Sequence, residues 1–310
     1  MSRRDNPLQP SFQRPASRVA IRRVEHYESD LSAILLETLR EFDLPLEGKT
    51  VLLKPNLVGL DVRGVMNTHP AVIGAAREAF LRLGAGKVLV GDGPTFDRDT
   101  EAIVETMKLR DYVGRLPGTF VDLNTVESRP VPLRTRASKL KELFFPVPLL
   151  EADFIVSMPK LKTHHWAGVT LSLKNMFGVV PGSRYGWPKN VLHWAGISRS
   201  ILDINSTVRP DFAIVDGIVG MEGNGPAQGP PKKAGVLVLG DDPVAVDATC
   251  TRIMGLLPER IDYLLKASHL LGHLKEEKIR QLGERLESVR TPFAVLEEFA
   301  HLRDPQSVRV

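Results

Sequence analysis

The chain alternates short apolar runs with stretches whose apolar residues return every three or four positions. Residues 19–24 are the first apolar run and read as a strand. Ser29 or Asp30 then caps a helix in which Leu31, Ile34, Leu35, Leu39 and Phe42 recur at helical spacing. Val51-Leu-Leu-Lys-Pro55 is a second buried strand, stopped by Pro55. Thr68 or His69 leads into a helix with Pro70 in its first turn and Val72, Ile73, Ala76, Phe80 and Leu83 on its buried face. Residues 87–90 form the next strand, closed by the turn Gly91-Asp-Gly-Pro94. Strand, helix and strand in this order make a βαβ unit, which predicts parallel pairing and a right-handed crossover.

The theme continues. Residues 100–116 read as helical and 120–123 as a short strand. Prolines and alternating apolar residues over 128–147 predict an antiparallel excursion. A buried strand over 154–159 is expected to release a loop carrying Lys160, Lys162, His164 and His165, followed by a short helix near 170–177. Residues 178–187 read as an active-site loop and 193–204 as a helix. In the second half, strands at 212–215 and 235–239 flank a Gly-rich loop, Gly220 to Pro226, and Asp242 caps a helix with Pro243 at its first position. Helices follow at 261–272 and 293–302. The pattern predicts an α/β fold: a mostly parallel sheet, helices on both faces and a small antiparallel excursion. Residues 1–17, rich in Pro, Arg, Ser and Gln, are expected to be a disordered basic tail. Residues 18–310 read as a single domain, with lobes of about 18–205 and 206–310 as a possible division.

Composition narrows the setting. Of 310 residues, 43% are hydrophobic and 25% charged, as in soluble globular proteins. The net charge of +4 is dispersed apart from Arg3, Arg4, Arg14, Arg18, Arg22 and Arg23. No basic helix carries interleaved aromatics, so no nucleic-acid partner is expected. No apolar run reaches the roughly 18 residues of a membrane span. Arg3-Arg4 is followed by Asp5-Asn-Pro rather than an apolar segment, so an export signal is not expected. Cys250 is the only cysteine, which excludes an internal disulfide and a cysteine-ligated iron–sulfur cluster and fits the cytoplasm.

The chemistry gathers at strand ends. Lys54 and Asn56, Asp92, the group Lys160, Lys162 and His164, and Asp216 all follow apolar runs. Parallel strands align their C-terminal ends on one edge, so these groups are expected to converge on one cleft. Lysines 160, 162 and 174 repel one another unless an anion or carboxylates lie among them, which points to a small anionic ligand. A lysine ending a buried strand either snorkels or holds that anion. The residues assigned to binding are Lys54, Asn56, Lys160, Lys162, Asn175, Arg184, Glu222 and Asn224; Lys162 is expected to be exposed. His164, Lys174 and Asp92 are the catalytic candidates. His165, beside Trp166, reads as a packing residue. His193 and Asp247 are candidate metal ligands, but no i, i+4 histidine pair marks a zinc helix. A metal or a lysine-tethered cofactor stays open, as does the oligomeric state. No Walker loop, GxGxxG turn or GxSxG elbow is intact.

Several ordered segments resemble the DUF362 family, named for its unknown function. They are Leu53-Lys-Pro-Asn-Leu57, Val88-Leu-Val-Gly-Asp92, Pro159-Lys-Leu-Lys-Thr-His164, Leu173-Lys-Asn-Met-Phe-Gly178, Glu222-Gly-Asn-Gly-Pro226 and Asp242-Pro-Val-Ala-Val-Asp247. A fainter similarity, to nickel-pincer lactate racemase, lies in Ala152-Asp-Phe-Ile-Val, His164-His-Trp-Ala-Gly168 and Lys174 ahead of Pro181-Gly182. That resemblance implies Lys174 as the tether of a pyridinium cofactor, His164 as an acid/base and His193 as a metal ligand. Where the racemases carry a further histidine, this chain has Asp92-Gly-Pro. Together these readings imply an enzyme acting on a small carboxylate-bearing substrate with racemase- or redox-like chemistry. The alternative is a non-catalytic ligand or metal carrier, or an accessory protein of a redox pathway.

Overall fold

Buried apolar runs bounded by glycine and proline become strands. The computed structural model describes residues 7–10, 13–115 and 118–306. In chain order its strands are β1 (Ser17–Arg23), β2 (Thr50–Pro55), β3 (Lys87–Asp92), β4 (Phe120–Asp122), β5 (Ser128–Pro132), β6 (Glu142–Pro146), β7 (Phe154–Met158), β8 (Lys160–His164), β9 (Gly168–Thr170), β10 (Phe212–Met221), β11 (Pro231–Gly240) and β12 (Ile279–Gly283). The main sheet runs β12-β1-β11-β10-β7-β2-β3-β4, with β8 joined to β10 and β9. Strands β4, β3, β2, β7 and β10 are mutually parallel, and β11 runs antiparallel to both β10 and β1. The mostly parallel α/β fold is as expected, and β5 pairs antiparallel with β6 in the excursion read from 128–147.

The pleat sends alternate side chains to opposite faces. Val51 and Leu53 pack on one side with the helices Leu31–Arg40 and Pro70–Arg82. Leu52 packs on the other with the helices Ile197–Val208 and Pro243–Ile253. Three of these helices start at side-chain caps. Asp30 accepts from the Ala33 amide, His69 from Ala71, and Asp242 from Val244 and Ala245. A cap of this kind contributes about 1 kcal/mol.

Several expectations give way to tertiary pairing. Residues 160–164, expected as a loop, are strand β8. Pro159 interrupts β7, but β10 continues through an irregularity between Gly217 and Val219 to Met221 and offers β8 an edge. The helix read over 100–116 breaks into Thr100–Thr106 and Leu109–Val113 where Lys108 takes φ 52°. The helix at 193–204 divides at Gly196, φ 97°, into Asn190–Trp194 and Ile197–Val208. Residues 293–302 hold only the 3-10 turn Glu297–Leu302. β12, which no local pattern marks, adds parallel to β1. Residues 1–6, 11 and 12 of the expected tail lie outside the described residues. Within the rest of it, the Arg14 guanidinium donates to the Leu270 and Leu271 carbonyls, and Ser17 already begins β1. Among the described residues no helix is long and apolar enough to cross a membrane.

Candidate functional site

Lys54 is the penultimate residue of β2 and Asp92 the last of the neighbouring β3, so parallel pairing of the two strands brings their side chains together. Lys54 Nζ lies 2.6 Å from Asp92 Oδ1, and both residues are 1% exposed. The ammonium also donates to the Pro55 carbonyl at 2.8 Å and to Asn175 Oδ1 at 2.9 Å. Asp92 accepts further from the Leu57 and Gly93 amides, so its carboxylate is fully engaged. Burial lowers the Lys54 pKa against the opposing pull of Asp92. A Cβ on Gly178 would collide with Asp92 Oδ1 and Lys54 Nζ, which explains the glycine there.

Lys174 and Asn175 sit on the one-turn helix Ser172–Asn175. Asp247 holds the start of that turn, accepting from the Ser172 amide at 2.7 Å and the Leu173 amide at 3.0 Å. Asn175 in turn donates to the Lys54 carbonyl and the Ser157 hydroxyl. Lys174 Nζ lies 4.0 Å from the Phe177 ring centroid and makes no hydrogen bond or ion pair among the described residues. Burial, and then the Lys54 ammonium, lower its pKa to about 7. Lys189, fully buried, donates to the Gly93 carbonyl at 2.8 Å and more weakly to Phe177 and Gly178. Burial lowers its pKa to about 7 as well.

Three imidazoles complete the cavity, and backbone groups set their tautomers. His164 Nδ1 receives the Trp166 and Ala167 amides at 3.0 and 3.2 Å, so it is bare and Nε2 carries the proton. His165 Nδ1 lies 2.6 Å from the Gly225 carbonyl and His193 Nδ1 3.1 Å from the Lys189 carbonyl. A carbonyl only accepts, so both Nδ1 atoms carry protons and both Nε2 atoms have free lone pairs. Burial, followed by Lys174, holds His164 well below its ordinary pKa; burial lowers His193 too. Lys54, Asp92, Lys174, Lys189 and the three histidines line a cavity of ≈ 140 Å³. Asn56 Oδ1 and Thr170 Oγ1 also belong to its wall, buried and without a hydrogen-bond partner.

The cavity thus gathers Lys54, Asn56, Asp92, His164, Lys174, Asn175 and His193 from the sequence reading. Lysines 160 and 162 are elsewhere. They and His164 share one face of β8, whose alternate residues span about 13 Å, and only His164 reaches the cavity. Lys160 Nζ is paired with Asp216 Oδ2 at 2.9 Å and donates to Tyr27. Lys162 is fully buried rather than exposed, and its ammonium donates to the Met66 and Pro226 carbonyls at 2.7 and 3.2 Å. Arg184 lies outside, 3.9 Å over the Phe144 ring. Glu222 accepts from the Ala294 amide, and exposed Asn224 donates to Gln228. Asp247 spends both carboxylate oxygens on amides, so it does not join His193 as a ligand. Among the described residues no group of three or more His, Cys, Asp or Glu is placed to hold a metal ion. Among the described residues the donors present do not fit a metal centre. Sequence reasoning missed Lys189, which nothing local marks, and assigned His165 to packing although it lines the cavity.

The model of the family described as "Domain of unknown function (DUF362)" matches residues 51–252. The "Thylakoid-associated protein sll1697" of Synechocystis sp. is 31% identical over 259 residues, 78% of this chain and 76% of that protein. Among solved structures, the lactate racemase apoprotein from Thermoanaerobacterium thermosaccharolyticum matches with TM-score 0.43 and 13% identity, over 67% of this chain and 51% of its own. A protein from Thermotoga maritima matches with TM-score 0.44 and 14% identity, over 74% of this chain and 59% of its own. The chain therefore spans less than two thirds of either structure, and likenesses this weak carry no functional argument.

Proposed function

Because the chain belongs to the family described as a domain of unknown function, DUF362, we propose its function from the cavity: an enzyme that performs acid/base chemistry on a small carboxylate-bearing substrate. The carrying observation is the Lys174 amine, which lines the cavity over the Phe177 ring with no hydrogen bond or ion pair among the described residues. Three lysines line this space against one carboxylate, and Asp92 is already engaged. A substrate carboxylate is the counter-charge the cavity lacks. Its volume matches the roughly 150 Å³ of an engineered cavity that takes benzene, so it suits a ligand of about six heavy atoms. A three-carbon hydroxy or oxo acid has that size.

The tautomers supply complementary roles. His164 Nε2–H donates to the substrate's hydroxyl or carbonyl oxygen. His193 or His165 Nε2 takes a proton from the hydroxyl-bearing carbon of a hydroxy acid, or from the carbon beside the carbonyl of an oxo acid, and the charge left behind goes to the oxygens. Asn56 Oδ1 and Thr170 Oγ1 offer further polar contacts. Lys174 pairs with the carboxylate as an ammonium or, as a free amine, adds to a substrate carbonyl whose oxygen leaves as water to give an imine, and its pKa near 7 leaves both forms populated. We place the protein in the cytoplasm, a reducing setting that suits its single, buried and free cysteine, Cys250.

Calorimetry with lactate and pyruvate at pH 7, and proton NMR of the same acids in D₂O, test this reading. Binding of both acids is expected, with deuterium uptake at the hydroxyl-bearing carbon of lactate and at the methyl beside the carbonyl of pyruvate. Lys174→Met should weaken binding roughly tenfold or more, in line with loss of a charge-assisted contact worth about 1.5–3 kcal/mol. Lys174→Arg should retain binding if the residue only pairs with the anion, and lose exchange if it acts as an amine. Binding without exchange would favour a carrier; no binding of either acid would refute the site.

A further inference from the structure

A wider groove of ≈ 690 Å³ adjoins the cavity, and the two share Phe96, His165, Trp166 and Pro226 in their walls. Their chemistry differs. The cavity holds three lysines and one engaged carboxylate, whereas the groove has Asp97 and Glu298 and neither Lys nor Arg in its described lining. Its apolar members lie open: Leu60 is 48% exposed, Phe96 50% and Trp166 62%. Single exposed apolar residues are ordinary, but a contiguous set continuing a polar cavity marks a binding surface.

Local contacts hold this surface in place. Asp97 Oδ2 accepts the Leu60 amide at 2.6 Å, and the Phe96 amide donates to the Val58 carbonyl at 3.1 Å. The Trp166 ring packs edge-on against His165 at 4.7 Å and against His193 at 5.4 Å between centroids. A group lying on Trp166 is thus beside the imidazoles assigned to proton transfer.

Resting on the carboxylate-site reading, we infer that the substrate is bipartite: an acid head in the cavity and a flat, uncharged, aromatic tail in the groove against Phe96 and Trp166. The groove's lining side chains offer two carboxylates and no Lys or Arg, and Lys162 and Arg63 behind it spend their donors on the Met66, Pro226 and Ala227 carbonyls, so a second carboxylate finds no side-chain cation to pair with. Aromatic side chains favour flat partners through area burial and offset or edge-on packing.

Calorimetry at pH 7 with lactate, 3-phenyllactate and malate separates the outcomes. 3-Phenyllactate is expected to bind roughly tenfold or more tightly than lactate, given the apolar area of a phenyl ring. Malate should bind more weakly than 3-phenyllactate. The 3-phenyllactate advantage should fall toward unity in the double variant Phe96→Ser, Trp166→Ser. Leu60→Asp, at an exposed position off the cavity wall, should reduce the same advantage even if the double variant does not fold. Equal affinity for lactate and 3-phenyllactate, or an advantage that survives Leu60→Asp, overturns the aromatic tail and leaves the carboxylate site standing. No binding of any of the three acids overturns both.

Discussion

Lys54 and Lys174 are both lysines of one cavity, yet the fold holds them differently. Lys54 neutralises buried Asp92, so Lys54→Met strands a carboxylate and should destabilise the protein by about 3–5 kcal/mol, read by urea unfolding. Lys174 has no such partner, and burial lowers its pKa to about 7. The folded state therefore binds fewer protons than the unfolded chain between about pH 7 and the ordinary lysine value of 10.5. Stability contributed through this group rises with pH across that window and is lowest below it, where the buried site must carry an ammonium. Lys174→Met should thus be more stable than the parent at pH 6, with the gain shrinking toward pH 10. Equal melting temperatures at both pH values would show that the amine is not desolvated. The sequence marks Lys174 as a site lysine. It does not distinguish Lys174 from Lys162, because the difference lies in which distant carbonyls meet each ammonium.

At the scale of elements, local pattern and pairing divide what could be read. The helices after Asp30, His69 and Asp242 were legible because caps, proline positions and apolar spacing all act within a turn. The convergence of Lys54 and Asp92 was legible because parallel strands share an edge. β8 was not, since polar Lys160, Lys162 and His164 become a strand only through the edge that β10 offers some fifty residues later. β12 likewise depends on β1, from the other end of the chain. The loop after Ser172–Asn175 shows how tightly elements meet at the site. Gly178→Ala places a methyl against Lys54 Nζ and Asp92 Oδ1, both buried and paired. Overpacking of this kind should destabilise by about 1–3 kcal/mol and weaken ligand binding together. An unchanged denaturation midpoint would mean that the turn relaxes freely.

For the whole molecule, the sheet gathers seven of the residues picked from the sequence at one cavity and disperses six. Lys160 and Lys162 became structural pairs and bridges; Arg184, Glu222 and Asn224 serve other contacts; Asp247 positions the Lys174 helix from behind. In exchange the fold contributes Lys189 and His165, whose neighbours are far away in sequence. On the proposed reading, what remains is a cavity lined by three lysines against one engaged carboxylate, in which Lys174 is held for a ligand. The titration of the Lys174 side chain, followed by ¹³Cε NMR of lysine-labelled protein with Lys174→Arg for assignment, addresses that claim most directly. The free protein should show Lys174 titrating near 7, and saturating lactate should raise that value, because a bound carboxylate favours the ammonium. A Lys174 that titrates near the ordinary lysine value of about 10.4, unmoved by the acid, would contradict the account.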